Sequence, residues 1–288
     1  MNNNDLIHTT SGSLSIPQTG ALAVPMHNDY LFRALLQENN DVLKELIQNL
    51  LYLPDSSIQS AIITNPILLG ESIESKQFLL DINVKLDNGS IINLELQVIN
   101  QHNWVERSLS YLCRNFDKLN HSDDYTQAKG SYQIGLLNFT LFKDHPTFFS
   151  TYKMMDIKDY YIYSDKLHLS VLDLTQIENA TAEDKANGLV YWAKLFSATS
   201  WEEIHMLAKK KPIIEQAAKT VYSLTEEEKI RLQCEAREDF YKSQNDFHNY
   251  YKNKLSEKDN ELAEKNIELA EKDKIIQELK KALEEKIK

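Results

Sequence analysis

The sequence predicts a mixed α/β domain that gives way to helices alone, the last of them long. Three observations predict it. In LLDINVKLDNGSIINLELQV, residues 79–98, Leu80, Ile82, Val84 and Leu86 alternate with polar residues. After Asp87-Asn88-Gly89, Ile92, Leu94, Leu96 and Val98 do the same. Alternation of period two marks half-buried strands, and DNG marks a hairpin turn. Second, strand-like and helix-like stretches are interspersed up to about residue 178, and everything beyond about 180 has helical character. Third, no proline or glycine occurs from Ser223 to Lys288.

The elements follow in order. Residues 1–24 are rich in Asn, Ser, Thr and Gly and are expected to be disordered. They carry neither the basic start nor the apolar core of a signal peptide. DYLFRALL and NNDVLKELIQNLLYL read as two helices, the second opening on an Asn/Asp cap and stopping before Pro54. IQSAIITNPILL reads as a strand broken near Pro66, and the hairpin follows. Residues 102–121 read as a helix with Trp104, Leu109, Leu112, Phe116 and Leu119 on one side. SYQIGLLNFTLF at 131–142 has the continuous apolar character of a buried strand, and YYIY and KLHLSVLDL add two more. The expected organisation is an α/β domain over 25–178, a helical region over 179–223 and one long helix over 224–288. That last helix, at 1.5 Å per residue, would reach about 90 Å.

Within it Leu255, Leu262, Leu269, Ile276 and Leu283 recur every seven residues, but the second core position is mostly Lys, Asp or Asn. Half a seam is present. It fits either a solvated helix or a coiled coil that joins copies of the chain or recruits a partner.

Composition narrows the function classes. At 42% hydrophobic the chain can bury a sizeable core. The net charge is -11, of which residues 224–288, with 17 acidic and 14 basic groups, supply only -3. A general nucleic-acid coat is excluded, and any polyanion site must be local. Cys113 and Cys234 form no metal spacing and no disulfide framework, and no apolar run reaches membrane-span length. A reducing cytoplasm is the expected location.

The hairpin register carries the chemistry. A two-residue loop would set Ile82 opposite Glu95 and mix apolar with polar residues along the ladder. A three-residue loop, with Gly89 left-handed and bulged, pairs Ile82 with Leu94, Val84 with Ile92, and Asp81 with Glu95. Carboxylates on opposed positions, with Cβ atoms about 5 Å apart, repel by roughly 3 kcal/mol at an effective dielectric of 20. If they sit in a cleft, one stays protonated or a hard cation such as Mg²⁺ or Mn²⁺ lies between them. If they face open water, they are ordinary surface acids. Asn83 and Lys85 share their face under either reading.

Asp81, thirteen residues, then Glu95-Leu96-Gln97 resembles the signature of PD-(D/E)XK nucleases, which place an Asp and an E-x-K on neighbouring antiparallel strands. The wider pattern resembles one branch, the Rpn recombination-promoting nucleases or PD-(D/E)XK nuclease family transposases. Its early helix is matched by DYLFRALL with Asp29, Phe32 and Arg33, and its Lys and LD by Lys76 and Asp81. Gly89, Asn93, Glu95 and Gln97 match its G…N-I-E-x-Q, Arg107 and Tyr111 its R-x-x-x-Y helix, and IGLLNF and LHLSVL its later strands. The match covers roughly residues 26–178.

The resemblance implies a restriction-endonuclease-like mixed sheet and a metal-dependent DNA endonuclease, a Mg²⁺- or Mn²⁺-using deoxyribonuclease of the transposase and recombination type. Asp81, Glu95 and the Leu96 backbone carbonyl would hold the ion, and Gln97, where the general signature has Lys, would orient the attacking water. Asp29 would either add a carboxylate or cap its helix. Arg107, Tyr111, Arg114 and Lys118, spaced i, i+4, i+7 and i+11, form a candidate rail, opposite the apolar stripe of their helix, for transient contacts to DNA phosphates, with Arg33 as a further cation. The rival is a nuclease fold of weak or lost activity that works through its C-terminal helix in oligomerisation or partner binding. A sugar hydrolase using the two carboxylates fits less well, since nothing resembles a sugar-stacking surface.

Overall fold

A computed structural model describes residues 16–70, 81–119 and 121–287. Two helices open it, α1 (Asp29–Glu38) and α2 (Asn40–Leu50). Each starts at an asparagine whose side-chain oxygen accepts from the first free backbone N–H groups: Asn28 from Tyr30 and Leu31, Asn39 from Val42. Six strands follow, β1 (Ala61–Ile63), β2 (Ile82–Leu86), β3 (Ile91–Gln97), β4 (Ser131–Leu137), β5 (Phe149–Met155) and β6 (Ile162–Asp173). They form one sheet in the order β1-β2-β3-β4-β6-β5, parallel at β3/β4 and β4/β6 and antiparallel elsewhere. Helix α3 (Trp104–Phe116) connects β3 to the parallel β4.

The hairpin has the three-residue loop. Ile82 pairs with Leu94 and Val84 with Ile92, Leu86 N–H donates to the Ser90 carbonyl, and Gly89 stands at φ +83°. One face of the sheet therefore presents Ile82, Val84, Ile92, Leu94, Ile134 and Leu136, all inaccessible to solvent, to a core shared with Phe32, Leu35, Leu46 and Phe196. The other face carries Asn93, Glu95, Gln133 and Gly135 and is covered by α3. Trp104 lies so close over Gly135 that a Cβ there would stand 2.1 Å from its ring.

Beyond β6 come α4 (Ala182–Ala186), α5 (Leu189–Ser197), α6 (Trp201–Ala208), α7 (Pro212–Glu226) and α8 (Glu228–Ile287). The α/β class, the hairpin and the helical remainder match the sequence expectation. Several elements differ. The segment 16–24 is packed rather than disordered: Ile16 and Val24 are buried, and Leu22 N–H donates to the Thr199 carbonyl. The last two residues of YYIY join KLHLSVLD in the single strand β6, Tyr160 and Tyr161 lying before it, and β5 went unread because its residues are half-buried or exposed. The predicted strand around Pro66 is confined to three residues of β1. Lys76 and residues 1–15 lie outside the described residues.

The chain divides into two compact units, 1–238 and 239–288. In the second unit Leu255, Leu262, Leu269, Ile276 and Leu283 are all exposed. No helix among the described residues is long and apolar enough to cross a membrane.

Candidate active site

Asp81 sits immediately before β2, one step beyond the Ile82–Leu94 pair, so the register carries it toward Glu95. Both acids are buried beneath α3, Asp81 at 8% and Glu95 at 2% exposure. They are not surface acids. Burial is the main cause that pushes the Glu95 carboxyl up to about 7, with the charges of Asp81 and, more weakly, Asp29 adding to it. Two neighbours pull the other way. Arg107 donates from Nη2 to Glu95 Oε1, and Gln97 Nε2 donates to the same oxygen at 2.5 Å. Glu95 Oε2 is left without a partner among the described residues.

Asp81 is fixed at both its groups. Its carbonyl accepts from Arg33 Nη1 and from Asn65 Nδ2 at 3.0 Å. Its Oδ2 accepts from Asn93 Nδ2 at 2.6 Å and Asn83 Nδ2 at 3.2 Å. Asn83 Oδ1 accepts in turn from Asn93 and, at 3.3 Å, from Asn115 on α3. Strand, neighbouring strand and helix are thus tied by one amide network. Above it opens a cleft of about 200 Å³, lined by Asp81, these asparagines, Tyr111 and Arg114.

The structure brings Asp81, Glu95, Gln97, Arg107, Tyr111 and Arg114 together, but not all as the spacing implied. Arg33 is 1% exposed, and its guanidinium is spent on the carbonyls of Asp81 and Asn65, so it cannot meet a phosphate. Burial lowers its pKa, and the Asp81 charge raises it. Asp29 does not cap its helix; Asn28 does. Both Asp29 oxygens are taken by Arg237 of α8, Nε to Oδ1 at 2.9 Å and Nη2 to Oδ2 at 2.5 Å. Lys118 lies past the end of α3, which stops at Phe116, so the rail contains three residues rather than four. Nor is that rail opposite an apolar stripe. The buried line of α3 is Trp104, Ser108, Leu112 and Asn115, with Leu109 exposed and Arg107 and Tyr111 half-buried beside that line.

Sequence reasoning also gave no role to five contributors. Asn83 and Asn93 share the parity of Asp81 and Glu95, and Asn115 stands four residues from Tyr111, so their placement was readable from spacing. Asn65 and Arg237 come from distant segments and carry no local signal.

Could these residues hold a divalent ion? Among the described residues no group of three or more His, Cys, Asp and Glu side chains gathers as a metal site. Two carboxylates, with the Leu96 main-chain carbonyl next in sequence to Glu95, are a suitable oxygen donor set, and the buried Glu95 Oε2, unpartnered among the described residues, is the atom that lacks a counter-group. The residues fit such an ion.

A profile of the PD-(D/E)XK nuclease family transposases matches residues 26–253. The chain belongs to that family. Comparison with curated proteins and with solved structures returns no match. The family match takes in the whole six-stranded sheet, the amide network and the start of α8 that supplies Arg237.

Proposed function

We propose that the protein hydrolyses phosphodiester bonds in DNA as a metal-dependent endonuclease. One observation carries this reading: two buried carboxylates stand at facing positions of adjacent strands, one oxygen without a partner among the described residues, under a helix that pairs Arg107 with Glu95 and lines the cleft beside Asp81 with Tyr111 and Arg114. Asp81, Glu95 and the Leu96 carbonyl are the residues that would hold Mg²⁺ or Mn²⁺. Bound there, the ion supplies Lewis acidity, acidifying water and polarising the phosphate. Arg33 and Asn65 clamp the Asp81 backbone, and Asn83 and Asn93 orient its carboxylate. Gln97, hydrogen-bonded to Glu95, holds the attacking water by its own amide. Arg114 neutralises the DNA backbone from the rim of the cleft. Asp29, saturated by Arg237, acts from behind the site through its charge on Glu95.

Purified protein should nick supercoiled plasmid with Mg²⁺ or Mn²⁺ and stop when EDTA is added. Asp81→Ala and Glu95→Ala should each abolish nicking, and Glu95→Gln should do so without lowering the melting temperature at pH 8 in the absence of metal. Wild-type inactivity with both ions on several DNA forms would overturn the reading.

A second reading is favoured by the engagement of Glu95 with Arg107 and by the exposed leucine stripe of α8: a fold that works as a scaffold, assembling through that helix. Sedimentation of the Leu262→Lys/Leu269→Lys double variant decides it. A mass lower than wild type supports assembly, and an unchanged mass removes that role.

A further inference from the structure

The far part of α8 carries more information than its leucines alone. With Leu255, Leu262, Leu269, Ile276 and Leu283 set at heptad position d, where two-stranded coils favour Leu, Lys258, Lys265 and Lys272 fall at g. Asp259, Asn266 and Asp273 fall at a. All six of these polar residues are exposed, and they lie on one continuous helix. Residues three and four positions beyond a leucine flank it on opposite sides, so the apolar line runs between a cationic row and a row of Asp and Asn. Lys258 holds Glu261 at 2.7 Å, an exposed pair that water screens and that a new contact can replace.

Chain direction decides what these rows would meet in a second copy. Antiparallel helices set g against g and d against a, so lysines would face lysines and leucines would face Asp or Asn. Parallel helices in register set d against d and seat each a residue beside the g and a residues of the other chain. Lys258 of one copy then stands beside Asp259 of the other, Lys272 beside Asp273, and Asn266 meets Asn266. The two Asp259 side chains also face each other, but the flanking lysines make that layer neutral. We propose that residues 255–283 bind a second copy of the chain as a parallel, in-register, two-stranded coiled coil. Asn facing Asn at position a fixes register at a cost in stability, and with Asp in the neighbouring layers the association is weak. This pairing rests on the assembly invoked by the second reading above, to which it adds partner, direction and register, and it stands whether or not the site cleaves DNA. Because Asp81 and Glu95 precede the coil in the chain, parallel pairing joins both copies of the site to the same end of it.

Disulfide trapping of the full chain tests direction and register at once. Cys113→Ser removes the exposed native thiol and leaves the buried Cys234 in place. In that background Leu255→Cys and Leu283→Cys are each oxidised in glutathione buffer, alone and mixed. The two positions lie about 42 Å apart along one helix, so a bond between them needs antiparallel chains. The expected result is a covalent dimer from each variant alone and, in the mixture, no 255–283 linkage by peptide mass. Adding Lys258→Glu and Lys272→Glu, both on exposed surface, should raise the protein concentration needed for linkage about tenfold. A 255–283 linkage overturns the parallel pair and leaves assembly through the helix standing. An unchanged concentration for the Lys→Glu chains also overturns it, since the charge rows would then play no part. No linkage in either variant overturns it as well, and sedimentation of the wild type then separates the two ideas: monomer mass removes the assembly too, and a larger mass removes the parallel pair alone.

Discussion

The two faces of one strand pair have opposite construction. On β2 and β3, Ile82, Val84, Ile92 and Leu94 point one way into an apolar core, while Asn93 and Glu95 point the other way, equally far from bulk water, with Asn93 Oδ1 and Glu95 Oε2 unpartnered among the described residues. Asn93 and Glu95 are buried nearly as deeply as the core face, with a different consequence. Apolar groups gain free energy from it, whereas a buried unpaired acceptor costs about 1–3 kcal/mol. The second face is thus less stable than it could be, and it is shaped to receive something.

Adjacent residues allow this contrast to be broken in two ways. Leu94→Ala, on the core face, should lower unfolding stability by about 2–5 kcal/mol, read from denaturant midpoints, while the folded fraction keeps its metal-dependent nicking. Glu95→Gln, one residue on, should show the reverse: no nicking, and no loss of stability at pH 8 without metal. Loss of both properties in both variants would mean that the faces are not separable. Gly135→Ala lies between these extremes. Its Cβ would collide with Trp104 at the start of α3, and the overpacking should cost about 1–3 kcal/mol together with part of the activity, since the same helix carries Arg107.

The pH dependence sharpens the contrast further. Glu95 titrates near 7 in the fold against 4.5 for an unperturbed glutamate, so between these values the folded state holds a proton that the unfolded chain has released. Its contribution to stability is complete below pH 4.5 and is lost as pH rises through 7. Without metal, the melting temperature of Glu95→Gln should therefore gain on wild type as pH rises from about 5 to 8. Added Mg²⁺ should raise the wild type and leave the variant unmoved. A pH-independent gap would show that Glu95 ionises as it would in water.

How much of this could be read from the chain alone differs between the faces. Alternation and the turn residues fixed the hairpin register, and with it the meeting of Asp81 and Glu95, because a slip of one residue would have put Ile82 and Leu94 on the wrong side. The helix above the site was harder. Trp104, Ser108, Leu112 and Asn115 make a buried line that is half polar, so the apolar stripe read from the sequence kept Trp104 and Leu112 but passed over Ser108 and Asn115, took in the exposed Leu109 and set the cationic rail on the far side. A helix that packs on a polar sheet face does not advertise that face by hydrophobicity. Arg33 misled for the same reason: a cation on an amphipathic helix reads as exposed, and nothing nearby in sequence announces the carbonyls of Asn65 and Asp81 that absorb it. The pairing of Asp29 with Arg237 spans 208 positions and leaves no local trace.

The smallest effect concerns the rim of the site face. Arg114 is exposed at the mouth of the cleft, whereas Arg107 is bound to Glu95. Arg114→Gln should weaken DNA binding modestly and equally across sequences, and should lower the slope of log affinity against log salt by about one, as expected for one lost phosphate contact. Arg107→Gln should leave that slope unchanged and act instead on Glu95, since removing the guanidinium takes away the strongest influence holding its pKa down. Equal slope changes in the two variants would place both arginines on the DNA, and the division between a polar interior and a phosphate-facing rim would have to be redrawn along α3.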